Sequence, residues 1–172
     1  MKLLGVIITS DLKWHENTKH ITKKAYGRLW LLKRLKAMGA STETLLDVYC
    51  KQVRSVLEFA AVVWSSGITQ ENTTQIERVQ KSAFSVILGV QYRSYEDACE
   101  KLSMETLYNR REKLALHFAN SAVNHPVHNS WFMENDTSRN TRSDKQAFKP
   151  AQARTNRFLK SAIPYLTNLL NQ

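Results

Sequence analysis

The sequence predicts an all-α fold: a helical bundle of three long helices plus shorter C-terminal helices, with a short orphan N-terminal strand. Only five Gly and three Pro occur in 172 residues, which leaves long stretches free of helix breakers. Apolar residues recur at three- and four-residue spacing over 16–38, 41–64 and 71–88. One β-branched apolar run, residues 3–9 (LLGVIIT), reads as a strand, and nothing downstream offers it a partner, so the sheet it belongs to is expected to be missing.

After a turn at 10–14, the first helix is expected over 16–38, with Gly39 placed for a left-handed cap. Ile21, Ala25, Leu29, Leu32 and Leu35 form its core stripe. The stretch 41–64 (STETLLDVYCKQVRSVLEFAAVVW) reads as the central helix. Leu45, Val53, Val56, Ala60 and Val63 cluster around Tyr49 on the wheel, flanked by Leu46, Leu57 and Trp64 and by Val48 and Phe59. Its polar stripe suits Asp47–Lys51 and Arg54–Glu58 pairing. Those mid-helix charges argue against a membrane span despite sufficient length.

A third helix over 71–88 turns Ile76, Val79, Ala83, Val86 and Ile87 inward and ends at Gly89. Ser94-Tyr95-Glu96-Asp97 resembles a capping box and opens a short helix to about 102. Thr106 caps another over 107–124, with Leu114, Ala115, Phe118 and Ala122 facing the core and Arg110, Arg111 and Lys113 facing out. Pro126 stops it. Residues 129–157 are polar and poor in aliphatics, and read as loop or partly disordered chain. A last helix at 161–170 docks back on the bundle. The expected layout is one compact domain with a tail: 1–14 a strand and turn, 15–125 the bundle, 126–172 a loop-rich basic tail.

The net charge of +10 is unevenly distributed. Residues 1–40 hold nine Lys and Arg against two acids, whereas 41–100 hold five against eight. Such asymmetry points to a polyanionic partner. The first helix sharpens this expectation, because Lys19, Lys23, Tyr26, Trp30, Lys33 and Arg34 share the face opposite its core stripe. Cations replace phosphate counterions, and aromatics stack on bases or pack on sugars. The competing reading is a protein–protein module anchored by Tyr26 and Trp30.

No catalytic constellation, cofactor motif or metal set is expected. Cys50 and Cys99 lack a CxxC partner and read as buried thiols. His125 and His128 are two ligands in a loop, too few for a metal site. With no secretory leader pattern, the expectation is an intracellular protein of the cytoplasm or nucleus.

Several short motifs then occur in one order: LLGV at 3–6, L-x-W at 12–14, KKA at 23–25, RLWLLKRLKAMG at 28–39, VLEFA at 56–60, VW at 63–64, SG at 66–67, IERVQKSA at 76–83, YEDA at 95–98, RRE-L at 110–114 and RTNRFLKSAIPYLTNLLN at 154–171. Together they resemble the C-terminal part of reverse transcriptases of jockey-like non-LTR retrotransposons. The resemblance implies a thumb, the helical part that holds a template–primer duplex (RNA or RNA–DNA hybrid) beside a palm domain absent from this chain. It implies that Leu4, Gly5 and Val6 match the segment closing the palm beside the primer grip, with Leu3 replacing the usual aromatic. The basic first helix matches the one that tracks the nucleic acid. The family commonly has Pro where this chain has Ser55 and Val63, which implies a straighter central helix here. It commonly has basic residues near Ser82 and Ser85, whose absence puts nucleic-acid contact by the third helix in question. The family's aromatic-Ala-Asp-Asp motif does not occur, so no polymerase activity is expected of the chain alone. A non-functional remnant of a mobile element is a further reading.

Overall fold

A computed structural model describes residues 1–135 and 147–172. The chain is predominantly helical, with one two-stranded sheet among the described residues, so the all-α expectation holds. Two units are distinguished: Met1–Ala60 with Ile68–Arg110, and Ala61–Gly67 with Arg111–Gln172.

In the first unit the N-terminal segment is not an orphan strand. It folds on itself, β1 (Lys2–Leu3) pairing antiparallel with β2 (Val6–Ile7) through a tight turn at Leu4-Gly5. Both turn residues have positive φ, 44° and 90°, as a two-residue hairpin turn demands. The strand pattern was legible, but Gly5 inside it marked a turn rather than a continuous strand. Val6 is buried and the Ile7 amide donates to Asn17 Oδ1 at 3.1 Å, so the hairpin is tied to the following helix. A Cβ on Gly5 would lie 3.1 Å from the Phe59 ring. Gly5→Ala is therefore expected to destabilise the protein by roughly 1–3 kcal/mol in urea unfolding, through backbone strain plus displacement of that ring. Gly39, also at positive φ but with open space around it, should lose only about 1 kcal/mol on the same change.

Helix α1 (His15–Ala37) matches its expected bounds within a residue, and Gly39 adopts φ 83° beyond its end. Ile21, Ala25, Leu29 and Leu32 are buried as the periodicity required, and Leu35 is half-buried. The central stretch is not one helix. It comprises α2 (Thr42–Val48), a wider π-helical segment (Tyr49–Arg54) and α3 (Ser55–Leu57), then breaks before α4 (Ala61–Trp64). Ala60 at φ 51° makes the break, a conformation that disfavours a side chain and that no Pro or Gly announces. Leu45, Tyr49, Val53, Val56 and Leu57 are buried as expected. Around the break the wheel holds only in part: Phe59 and Val63 are 53% and 51% exposed, whereas Trp64 is buried as expected. Both expected ion pairs form, Lys51–Asp47 at 2.7 Å and Arg54–Glu58 at 3.8 Å. Glu58 is held more firmly by the Arg110 guanidinium, whose Nε and Nη2 reach its two oxygens at 2.5 and 3.2 Å. That carboxylate raises the Arg110 pKa.

Helix α5 (Gln70–Leu88) runs beside α1 in the same direction, because their ends meet in register. His15 Nδ1 lies 2.8 Å from Asn72 Oδ1 at the N-terminal ends, and Lys36 Nζ donates to the Ile87 carbonyl at 2.9 Å near the C-terminal ends. A lysine there satisfies a carbonyl left without a helical partner and complements the helix dipole. Ile76, Val79, Ala83 and Ile87 are buried, Val86 half-buried, and Gly89 ends the helix. Phe84 is buried edge-on against Tyr49, ring centroids 5.4 Å apart.

Beside this ring lies a polar network that the apolar pattern does not show. Gln80, fully buried, accepts from the Tyr49 hydroxyl at 2.5 Å and donates to the Tyr95 hydroxyl and the Glu105 carbonyl, both at 2.8 Å. The Tyr95 hydroxyl donates in turn to Glu77. Glu77 also accepts from the amides of Leu107 and Tyr108 at 3.3 and 2.7 Å, capping the start of α7 (Leu107–Val123) from another helix. Ser94 caps α6 (Tyr95–Lys101) through Asp97 N, and Thr106 Oγ1 accepts from Asn109 N, as the sequence predicted.

The second unit has its own core, Ala115, Ala119, Ala122, Phe132 and Leu166, with Val62, Tyr165 and Phe148 packed against it. The C-terminal helix α9 (Ala162–Leu170) follows a short helix α8 (Asn156–Leu159). Two expectations are corrected here: Phe118 is partly exposed rather than core, and Arg111 is buried rather than outward. Among its described residues the 129–157 segment is mostly loop, as expected, and it contributes Phe132 to the core and pairs Glu134 with Phe148. Ala119 occupies the inward position expected of Phe118, one residue along. Residues 136–146 of that segment lie outside the described part. Cys50 and Cys99 are free and half-buried rather than fully buried.

Candidate nucleic-acid interface

The site is built on α1. At 100° per residue, Lys19, Lys23, Tyr26, Trp30, Lys33 and Arg34 fall within an arc of about 100°. All six are exposed, Trp30 by 64% and Tyr26 by 43%. Within α1 the sole acid is Glu16, in the first turn, so no carboxylate interrupts the face. Arg34 and Lys36 in the last turn also suit the helix dipole.

Beside this face a groove of about 660 Å³ opens between α1 and α5. Tyr26, Leu29, Trp30 and Lys33 form one wall, and Lys81, Ser82, Ser85 and Val86 the other. The sequence reading left α5 out of the site for want of basic residues near Ser82 and Ser85. The structure places both serines in the groove and adds Lys81, whose ammonium also sits 4.9 Å from the Tyr95 ring centre. Its spacing from α1 becomes visible only once the helices are aligned. Lys19, Lys23 and Arg34 lie on the exposed face without lining the groove.

Tyr26 and Trp30 are one turn apart, about 6 Å along the helix. A large apolar ring left in water one turn from another gains free energy on being covered, and the cations around it select a negatively charged cover. If that cover is a nucleic acid, Trp30→Ala is expected to weaken its binding by about 1–3 kcal/mol with little change in salt dependence. Fluorescence anisotropy at two salt concentrations measures both. An unfolded variant by circular dichroism would instead make Trp30 a structural residue.

Leu4, Gly5 and Val6 are elsewhere in the unit. Leu4 is exposed at the hairpin turn, Gly5 faces Phe59, and Val6 is core. None of the three lines the α1–α5 groove. Among the described residues no group of three or more His, Cys, Asp or Glu could hold a metal ion, and no helix is long and apolar enough to cross a membrane. No family model, curated protein or solved structure matches this chain.

Proposed function

We propose that this chain is a thumb-like, nucleic-acid-binding part of a retrotransposon RNA-directed DNA polymerase, whose α1 holds a template–primer duplex. The observation that carries the reading is the single exposed arc of four cations and two aromatics on α1, uninterrupted by acid and bordered by a groove. The ordered motifs from LLGV to RTNRFLKSAIPYLTNLLN supply the polymerase context. On this reading the metal-binding carboxylates for nucleotidyl transfer belong to a palm domain outside this chain. The chain contributes position rather than chemistry, keeping the duplex against a palm while α1 tracks phosphates.

The test is direct titration of a fluorescent RNA–DNA template–primer with the protein at several salt concentrations. Four phosphate contacts by Lys19, Lys23, Lys33 and Arg34 correspond to a slope of log affinity against log salt of roughly −3 to −4. Binding that is absent, or indifferent to salt, overturns the proposal and favours a protein-binding role for Tyr26 and Trp30.

A further inference from the structure

A second groove, of about 360 Å³, lies on another side of α1. His20, Lys24 and Arg28 line it from α1 and Lys2 from the hairpin, with Val56 and Phe59 among its apolar residues. Among the described residues no carboxylate lines it. Arg28 is fixed there by donating to the Gln52 carbonyl at 2.5 Å. The direction of His20, Lys24 and Arg28 is about 130° around α1 from the centre of the Lys19–Arg34 arc, so one straight duplex lying on that arc leaves this groove uncovered.

We propose that this groove binds an extended peptide segment in which acidic side chains alternate with apolar ones. The three α1 groups are spaced four residues apart, a row repeating every ~6 Å. In an extended chain, alternate side chains on one side repeat about every 6.6–6.8 Å. Carboxylates on one side of such a segment therefore meet His20, Lys24 and Arg28 in succession. The intervening apolar side chains turn to the Phe59 ring, which still exposes about half its area above the buried Val56. A sugar–phosphate backbone would satisfy the cationic rim but offer little for that apolar surface to bury. Charge and apolar surface together thus select the peptide.

The probe is a fluorescein-labelled peptide of alternating aspartate and leucine with one central phenylalanine, read by anisotropy with the full chain. Saturable binding is expected, about tenfold weaker for Lys24→Glu and likewise for Lys2→Glu. Both positions are exposed, and Lys24→Glu keeps a good helix former. Peptides with asparagine for aspartate, or serine for leucine and phenylalanine, should lose most of the affinity. Three results overturn the proposal: no binding to the wild type, equal binding by the folded glutamate variants, or equal binding of the asparagine peptide. A fourth is that Lys24→Glu weakens the RNA–DNA hybrid as much as the peptide, which would assign the groove to the nucleic-acid surface. Concentration-dependent self-association abolished by Lys24→Glu would make a second copy the occupant and equally overturn it.

Discussion

Replacing Gln80 with Leu should destabilise the protein by about 3–5 kcal/mol, the largest single effect expected outside the apolar core. Leucine is apolar and close enough in size to fill the space, so the loss is not a cavity. It arises chiefly because the buried Tyr49 hydroxyl loses its acceptor in Gln80, along with the bonds Gln80 donates to the Tyr95 hydroxyl and the Glu105 carbonyl. Each buried polar group left unpaired costs roughly 1–3 kcal/mol. Tyr49→Phe in the Gln80→Leu background should then cost much less than Tyr49→Phe alone, since the orphaned hydroxyl is removed with it. Urea unfolding of the four proteins of this cycle supplies the comparison; additive effects would mean the bond contributes nothing. The same site sets a limit at high pH. Burial, the largest cause for both, raises the Tyr49 and Tyr95 pKa values, with Glu77 adding to the rise at Tyr95. The folded state thus prefers the neutral phenols. The stabilisation is complete below the unfolded tyrosine value near 10 and is lost as pH rises above it. The part of the phenolate absorbance owed to Tyr49 and Tyr95 should therefore appear together with loss of helicity.

Lys23→Ala combined with Arg34→Ala should reduce the salt slope of hybrid binding by about two while leaving the fold intact. Both side chains are exposed on α1. Each phosphate contact removed takes roughly 0.9 from the slope on a duplex, and affinity should fall almost equally for all base sequences. At low salt the loss is largest, because the counterions released there carry most of the free energy. Unchanged slope and affinity in the double variant would make the face a solvated surface. A sequence-dependent loss would instead assign these residues to base contacts.

What could be read beforehand was chiefly local chemistry. Gly39, Gly89, Ser94 and Thr106 mark helix ends through interactions spanning only a few residues, and each does so in the structure. The α1 face was legible for the same reason, since one helix fixes the relative directions of its own side chains. Less was legible where two distant segments decide the outcome. Arg111 reads as outward-facing and nothing in the pattern singles out Gln80, yet both are buried. Lys81, Ser82 and Ser85 belong to the groove only because α5 aligns with α1. The break at Ala60 carries no Gly or Pro, so periodicity ran straight through it. In the N-terminal hairpin, Gly5 was visible, but its effect on pairing depended on a turn of only two residues.

The parallel course of α1 and α5 has a kinetic consequence. Adjacent antiparallel helices need only a short loop, whereas this pair must wait for residues 38–69 to close on themselves, an entropic barrier that local contacts do not lower. Meanwhile α5, α6 and the start of α7 are neighbours in sequence and are joined by Glu77 and Gln80. The helix bearing the cations is therefore secured by the most slowly acquired contacts of its unit. A chain arrested before that step would keep much of its helicity yet present neither wall of the groove in place, and a polyanion bound to α1 would draw the final docking forward by mass action.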